Sequence, residues 1–104
     1  MENNRVEILR KLLEQNPADS FSRYALAMEY ARAGQLQEAA DEYGKLLEVN
    51  PGYAAAYYHG GQALEKLGRF EEARTLYRKG IEVTTRSGDQ HARSELQAAL
   101  DILG

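Results

Sequence analysis

The stretch "GQLQEAADEYGKLLEVNP" runs from Gly34 to Pro51, and the chain writes it again as "GRFEEARTLYRKGIEVTT" from Gly68 to Thr85. A shift of 34 residues pairs Tyr24 with Tyr58, Gly34 with Gly68, Ala39 with Ala73, Tyr43 with Tyr77, Glu48 with Glu82 and Val49 with Val83. Run backward, the same shift lays Lys11, Leu12, Leu13, Glu14, Asn16 and Pro17 on Lys45, Leu46, Leu47, Glu48, Asn50 and Pro51. One period accounts for residues 5–87. Self-similarity at a fixed spacing of this size marks a stacked array in which each unit hides its apolar face against the next.

Each unit reads as two helices. In the first, Asp19 or Ser20 offers an N-cap oxygen, and Leu26, Ala27, Tyr30 and Ala31 follow at helical spacing. Gly34 supplies a left-handed residue that ends this helix. The second helix, about 37–49, carries Ala39, Ala40, Tyr43, Leu46 and Leu47 on one face, with Asp41 and Lys45 spaced for an i,i+4 ion pair on the wet side. Pro51 stops it. The next pair falls at about 54–67 and 71–86, divided by Gly68. Thr84 and Thr85 stand where the first unit has Asn-Pro, so the fifth helix is expected to run longer. Gly88 and Asp89 form a stop and a new cap, and a last helix at about 90–103 puts Ala92, Leu96, Ala99, Leu100 and Leu103 on one stripe. The opening helix, about 4–15, is the second half of a unit whose first half is missing.

Small residues at Ala27 and Gly61, Tyr30 and Leu64, then Gly34 and Gly68, Ala39 and Ala73, Tyr43 and Tyr77, and Pro17 and Pro51 together resemble the tetratricopeptide repeat. The resemblance covers about four-fifths of the chain. It implies an all-α, right-handed α-α superhelix, a solenoid of about two and a half repeats closed by a C-terminal capping helix. As a single domain, 1–104, it divides into a half repeat at 4–17, repeats at 20–53 and 54–87, and a cap at 88–104. The chain departs from the family pattern where tryptophan is usual, with Arg23 and Tyr57, and where Leu-Gly is usual, with Leu26-Ala27 and Gly60-Gly61. Leu46 and Gly80 replace a usual alanine. Each mid-helix glycine costs about 1 kcal/mol relative to alanine, so Gly60, Gly61 and Gly80 in one repeat predict close helix approach. The space vacated by Gly60 and Gly80 is expected to receive Tyr57, Tyr77 or the terminal helix.

Composition bounds the function. The charge is −3 and the pI near 5.4, which opposes nonspecific attraction to nucleic acid or to an anionic membrane. Helical-hairpin repeats of the pentatricopeptide family read RNA at a similar period, but the Tyr, Ala and Pro signature and the acidic balance here oppose that. There is no cysteine, hence no disulfide and no thiolate chemistry. Arg5, Glu7, Arg10 and Lys11 interrupt the N-terminal apolar residues, so no signal-peptide core is present. A cytoplasmic location is the expectation. His59 and His91 belong to no HExxH arrangement; His91 and Glu95, four apart, give two ligands from one face, too few for zinc. "HGGQALEK" (59–66) lacks the phosphate-loop pattern and reads as mid-helix. No enzyme, no cofactor and no metal are expected.

The resemblance implies that the first helix of each pair lines a concave groove. Carried over, the groove positions are Phe21, Tyr24, Met28, Ala31 and Arg32, then Ala55, Tyr58, Gln62, Glu65 and Lys66, with Tyr53 at the turn between. Where family members that grip acidic chaperone tails use lysine and asparagine, this chain has Tyr24, Met28, Tyr58 and Gln62. The expected partner is therefore another protein, presenting a peptide or helix of apolar or aromatic character. Tyrosines at helical spacing are also ordinary core, and Tyr30, Tyr43 and Tyr77 are assigned there. A different class of function starts at the unpaired first helix: Val6, Ile8, Leu9, Leu12 and Leu13 spread wider than one stripe, and an uncovered apolar face marks an interface. On that reading the chain is a structural homodimer, or a piece of a longer array.

Overall fold

The computed structural model describes residues 4–104; residues 1–3 of the expected domain lie outside the described residues. Six helices follow one another: α1 (Asn4–Gln15), α2 (Ser20–Arg32), α3 (Leu36–Val49), α4 (Ala54–Lys66), α5 (Phe70–Ser87) and α6 (Gln90–Leu103). The described residues contain no strand. The caps choose the boundaries. Asp19 starts α2 by accepting the Ser22 backbone N–H at 3.3 Å and the Ser22 hydroxyl at 2.7 Å. Asp89 starts α6 by accepting the Ala92 N–H at 3.1 Å. Gly34, Gly68 and Gly88 sit at φ near +80°, a conformation that costs other residues a steric clash at Cβ. They let Gln35, Arg69 and Asp89 donate back to Tyr30, Leu64 and Thr84 at 2.9, 2.9 and 3.0 Å. With no proline to end it, α5 runs to 18 residues against 14 for α3.

Each helix packs on its sequence neighbours, and α4 also touches α6, as a solenoid requires. The core forms two clusters. Leu26, Ala27, Tyr30, Ala39, Tyr43, Leu46 and Ala56 hold α1–α4 together with Val6 and Leu13. Tyr57, Leu64, Ala73, Tyr77, Leu96 and Ala99 hold α4–α6, and Leu47 touches both groups. Tyr30, Tyr43 and Tyr77 are buried as expected, at 5%, 1% and 0% exposure.

The mid-helix glycines are where helices meet most closely. A methyl on Gly61 would overlap the Tyr77 ring. On Gly80 it would lie 2.6 Å from Tyr57 Cβ and 2.8 Å from Leu96 Cδ1, so both the tyrosine and the terminal helix fill that space. Gly60 instead meets Leu76 and Tyr43, at 2.9 and 3.3 Å, neither of them among the side chains expected there. One surface pair also differs from expectation. Lys45 lies 3.6 Å from Glu42, not on Asp41, which accepts from Gln37 at 2.9 Å. Arg23 has already drawn the Glu42 carboxylate into a 2.7 Å pair between α2 and α3, and Lys45 joins that charge.

Candidate functional site

The face expected to line the groove is presented by α2 and α4, with α6 beside α4. Its floor is aromatic. Tyr24 and Tyr53 lie 5.2 Å apart between ring centroids; Tyr24 and Tyr58 each approach His59, at 5.9 and 5.2 Å, both edge-on. His59 also stacks at 20° over buried Tyr43, 6.4 Å away. The expected contacts Tyr24 and Tyr58 are thus drawn together through His59, which is not among the expected site residues, and Tyr53 joins them through Tyr24. The repeat register sets His59 against Ala25, so the period gave it no mark. Burial pushes the His59 imidazole below its ordinary value near 6.5, and burial raises the Tyr24 and Tyr43 hydroxyls. Removing a charged form from water is costly, so these rings stay neutral at physiological pH and present an uncharged surface.

Two recesses flank the aromatic floor. One, of about 230 Å³, lies between α2 and α4 and is lined by Met28, Ala31, Arg32, Leu36, Tyr43, His59, Gln62, Ala63 and Lys66. The other, of about 320 Å³, lies between α4 and α6 and is lined by Tyr58, Gln62, Glu65, Glu95, Ala98, Ala99 and Ile102. Gln62 borders both. A core residue fixes it: Tyr77 accepts from Gln62 Nε2 at 2.7 Å and donates its hydroxyl to Glu65. Two of the expected groove side chains are therefore held in place by a core tyrosine. Similarly, Met28 Sδ accepts from the Tyr43 hydroxyl at 3.1 Å.

Of the expected groove residues, Tyr24, Met28, Tyr53, Tyr58, Gln62 and Glu65 are half-buried, while Arg32 and Lys66 are exposed. Phe21 is 71% exposed, lines neither recess, and stands one turn before Tyr24 on α2. On α1, Ile8 and Leu12 are 57% and 45% exposed and Leu9 is half-buried. Val6 and Leu13 are buried, so Val6 does not belong to an open face. A larger recess, about 820 Å³, opens on the outer side between α3 and α5 over Ala40, Gly44, Gly60, Leu64 and Leu76. It is absent from the sequence reading because the gap depends on the angle between helices. Among the described residues no group of three or more His, Asp or Glu could hold a metal ion; His91 and Glu95 form a 3.5 Å pair on α6. No described helix is long and apolar enough to cross a membrane.

The tetratricopeptide repeat model matches residues 24–89. The chain belongs to the tetratricopeptide repeat family. Among solved structures, a tetratricopeptide repeat domain protein from Salinibacter ruber is 39% identical, over 85% of this chain and 89% of that one, with a TM-score of 0.79. A protein from Bordetella parapertussis is 28% identical over 99% and 89%, with a TM-score of 0.82. The type III secretion translocator chaperone SycD of Yersinia enterocolitica shares the fold at 15% identity, over 94% and 68%, with a TM-score of 0.86. None of the curated proteins matches. A tetratricopeptide repeat array is in general a scaffold for protein interaction.

Proposed function

We propose that this chain holds a peptide or helical segment of another protein against the inner face of α2 and α4, without chemistry of its own. The observation that carries the reading is the aromatic floor. Tyr24 and Tyr58 lie edge-on to His59, and Tyr53 is tilted against Tyr24, all three half-exposed between two recesses. Aromatic rings bury large area at small cost in conformational entropy and dominate interface energetics. Their partner is accordingly apolar or aromatic. Met28, which adapts its shape, and Gln62, fixed by Tyr77, give the floor one pliant and one rigid border. The fold shared with a translocator chaperone adds support of a general kind.

The test is capture from a matched lysate by wild type, by Tyr24→Ala/Tyr58→Ala and by Phe21→Ser, each with helicity checked by circular dichroism. Phe21→Ser is the safeguard, because an exposed side chain is removed without disturbing the packed rings. A protein retained by wild type and lost by the folded variants supports the groove; equal recovery of the same proteins by all three forms sinks it.

A second reading has its own observation, the exposure of Ile8 and Leu12 one turn apart on α1. In the next unit Leu46, the equivalent of Leu12, is buried at 1%, because there a first helix covers it. A second copy of the chain covering α1 would make a homodimer. Sedimentation over a hundredfold range of concentration decides. A mass that rises in wild type and stays monomeric in Ile8→Lys/Leu12→Lys supports self-association, and a constant monomer removes it.

A further inference from the structure

The recess between α2 and α4 is lined by Met28, Ala31, Leu36 and Ala63 beside Tyr43, His59 and Gln62, with the cations Arg32 and Lys66 at its rim. Both are exposed, and they occupy the same repeat position, 34 residues apart, in the last turns of the two groove helices. A cation at a helix C-terminus complements the macrodipole, and that alone would explain either one. It does not explain the distribution. The last turns of α1, α3 and α6 hold no basic residue, and Arg86 of α5 is paired with Glu82 at 3.6 Å within its own helix. At the recess the positive charge is not balanced. Glu29 serves both Arg5, at 3.3 Å, and Arg32, at 3.9 Å, while Lys66 makes no ion pair among the described residues.

Across Gln62 the sign reverses, since Glu65 and Glu95 line the α4–α6 recess. An acidic group on a bound segment is repelled from that side and attracted to the Arg32–Lys66 rim, so charge sets the segment's register. A cavity of about 150 Å³ accommodates a benzene ring; the 230 Å³ recess beside the rim takes one apolar side chain. A segment crossing α2, α4 and α6 passes this rim and does not end there. We infer that the partner carries an Asp or Glu side chain next to a single apolar anchor, the anchor seated in the α2–α4 recess and the carboxylate held by Arg32 and Lys66. These are not the positions by which related arrays grip acidic chaperone tails, which in this chain hold Tyr24, Met28, Tyr58 and Gln62. The inference rests on the groove reading above.

The probe is a phage-displayed library of random dodecapeptides, which present no free carboxyl terminus, panned against the full chain and against Arg32→Glu/Lys66→Glu. Both positions are exposed, so the variant is expected to fold, with circular dichroism as the check. Wild type is expected to enrich an apolar residue with Asp or Glu at a fixed offset. The charge-reversed form keeps the apolar residue and exchanges the acid for Lys or Arg. With one enriched peptide, Glu→Gln in the peptide and Lys66→Gln in the protein each weaken binding about tenfold, and together weaken it little more. An apolar consensus without an acid, or one unmoved by charge reversal, overturns the inference and leaves the groove reading standing. So does binding that appears only with synthetic peptides bearing a free C-terminal carboxylate or a phosphate. Failure to enrich any sequence whose binding depends on Tyr24 and Tyr58 overturns the groove reading and this inference with it.

Discussion

Gly44 and Gly80 are both mid-helix glycines, and a methyl group has opposite consequences at the two. At Gly80 it would meet Tyr57 Cβ at 2.6 Å and Leu96 Cδ1 at 2.8 Å. The added volume must push α4 or α6 aside, and overpacking of this kind costs roughly 1–3 kcal/mol, more than the gain in helix propensity. Gly44 lies exposed on α3 with nothing within 4 Å of where its Cβ would stand. Gly44→Ala is therefore expected to raise stability by up to about 1 kcal/mol and Gly80→Ala to lower it. Urea unfolding reads both, through midpoints that move in opposite directions at unchanged slope. His59 gives a pH signature. Burial holds its folded-state pKa below the ordinary 6.5, so as pH falls the unfolded chain takes up the proton first. The stability is complete above about 6.5 and is lost through the window beneath, down to the depressed folded value. Thermal denaturation from pH 7.5 to 5 should show the decline, and His59→Phe, which keeps a ring among the tyrosines, should flatten it. An unchanged slope in the variant would assign the decline to another group.

Arg23 and Glu42 tie α2 to α3 through a 2.7 Å pair whose side chains are only 15% and 13% exposed. Arg23 also donates to the Pro17 carbonyl at 3.1 Å, so one guanidinium closes the turn before α2 and clamps the helix after it. Removing it leaves a poorly solvated carboxylate, with Lys45 alone, at 3.6 Å, in partial compensation. Arg23→Met is expected to cost about 2 kcal/mol, below the range for fully buried pairs. Arg23→Met/Glu42→Leu should recover much of that loss, because the stranded charge goes too. A double variant as unstable as the single would show that packing, not charge, decides there. Such a pair also shows what the sequence withholds. Helix ends were legible because Asp19, Asp89 and the left-handed glycines act locally, and the cost of glycine inside a helix pointed to the close approach at Gly60, Gly61 and Gly80, though Gly44 bears the same cost in open space. The partner of Arg23 is nineteen positions away, on the far side of a turn, and no local rule selects Glu42 or directs Lys45 to it. The same holds for the groove. The family resemblance put Tyr24, Met28, Tyr58 and Gln62 among the expected groove positions, yet Tyr77 behind Gln62 and Glu65, and His59 between Tyr24 and Tyr58, follow only from how α4 sits on α3 and α5.

At the scale of the whole chain, contacts run between neighbours and stability is distributed along the array. The two ends are unequal. The helix α6 buries Leu96 and Ala99 against the preceding pair and turns a mostly polar face outward, with Ile102 the exception at 85% exposure. In α1 only Val6 and Leu13 are buried, it packs chiefly on α2, and much of its attachment is polar. The Arg10 guanidinium donates twice to the Tyr30 hydroxyl, at 3.0 and 2.6 Å, and Arg5 reaches Glu29. Few apolar contacts and much exposed backbone place a helix at the low end of local opening free energies. Amide hydrogen exchange should therefore find α1 opening first, with α4 and α5 protected up to the global unfolding free energy and α6 between. The same measurement separates the two readings of function. If copies associate through Ile8 and Leu12, protection in α1 rises with protein concentration while that in α4 stays fixed. If the inner groove is the working surface, α1 protection is independent of concentration, and a bound peptide instead slows exchange in α2 and α4. Protection in dilute solution as strong in α1 as in α5 would overturn the graded picture and mean that the first helix is anchored more firmly than its two buried side chains provide.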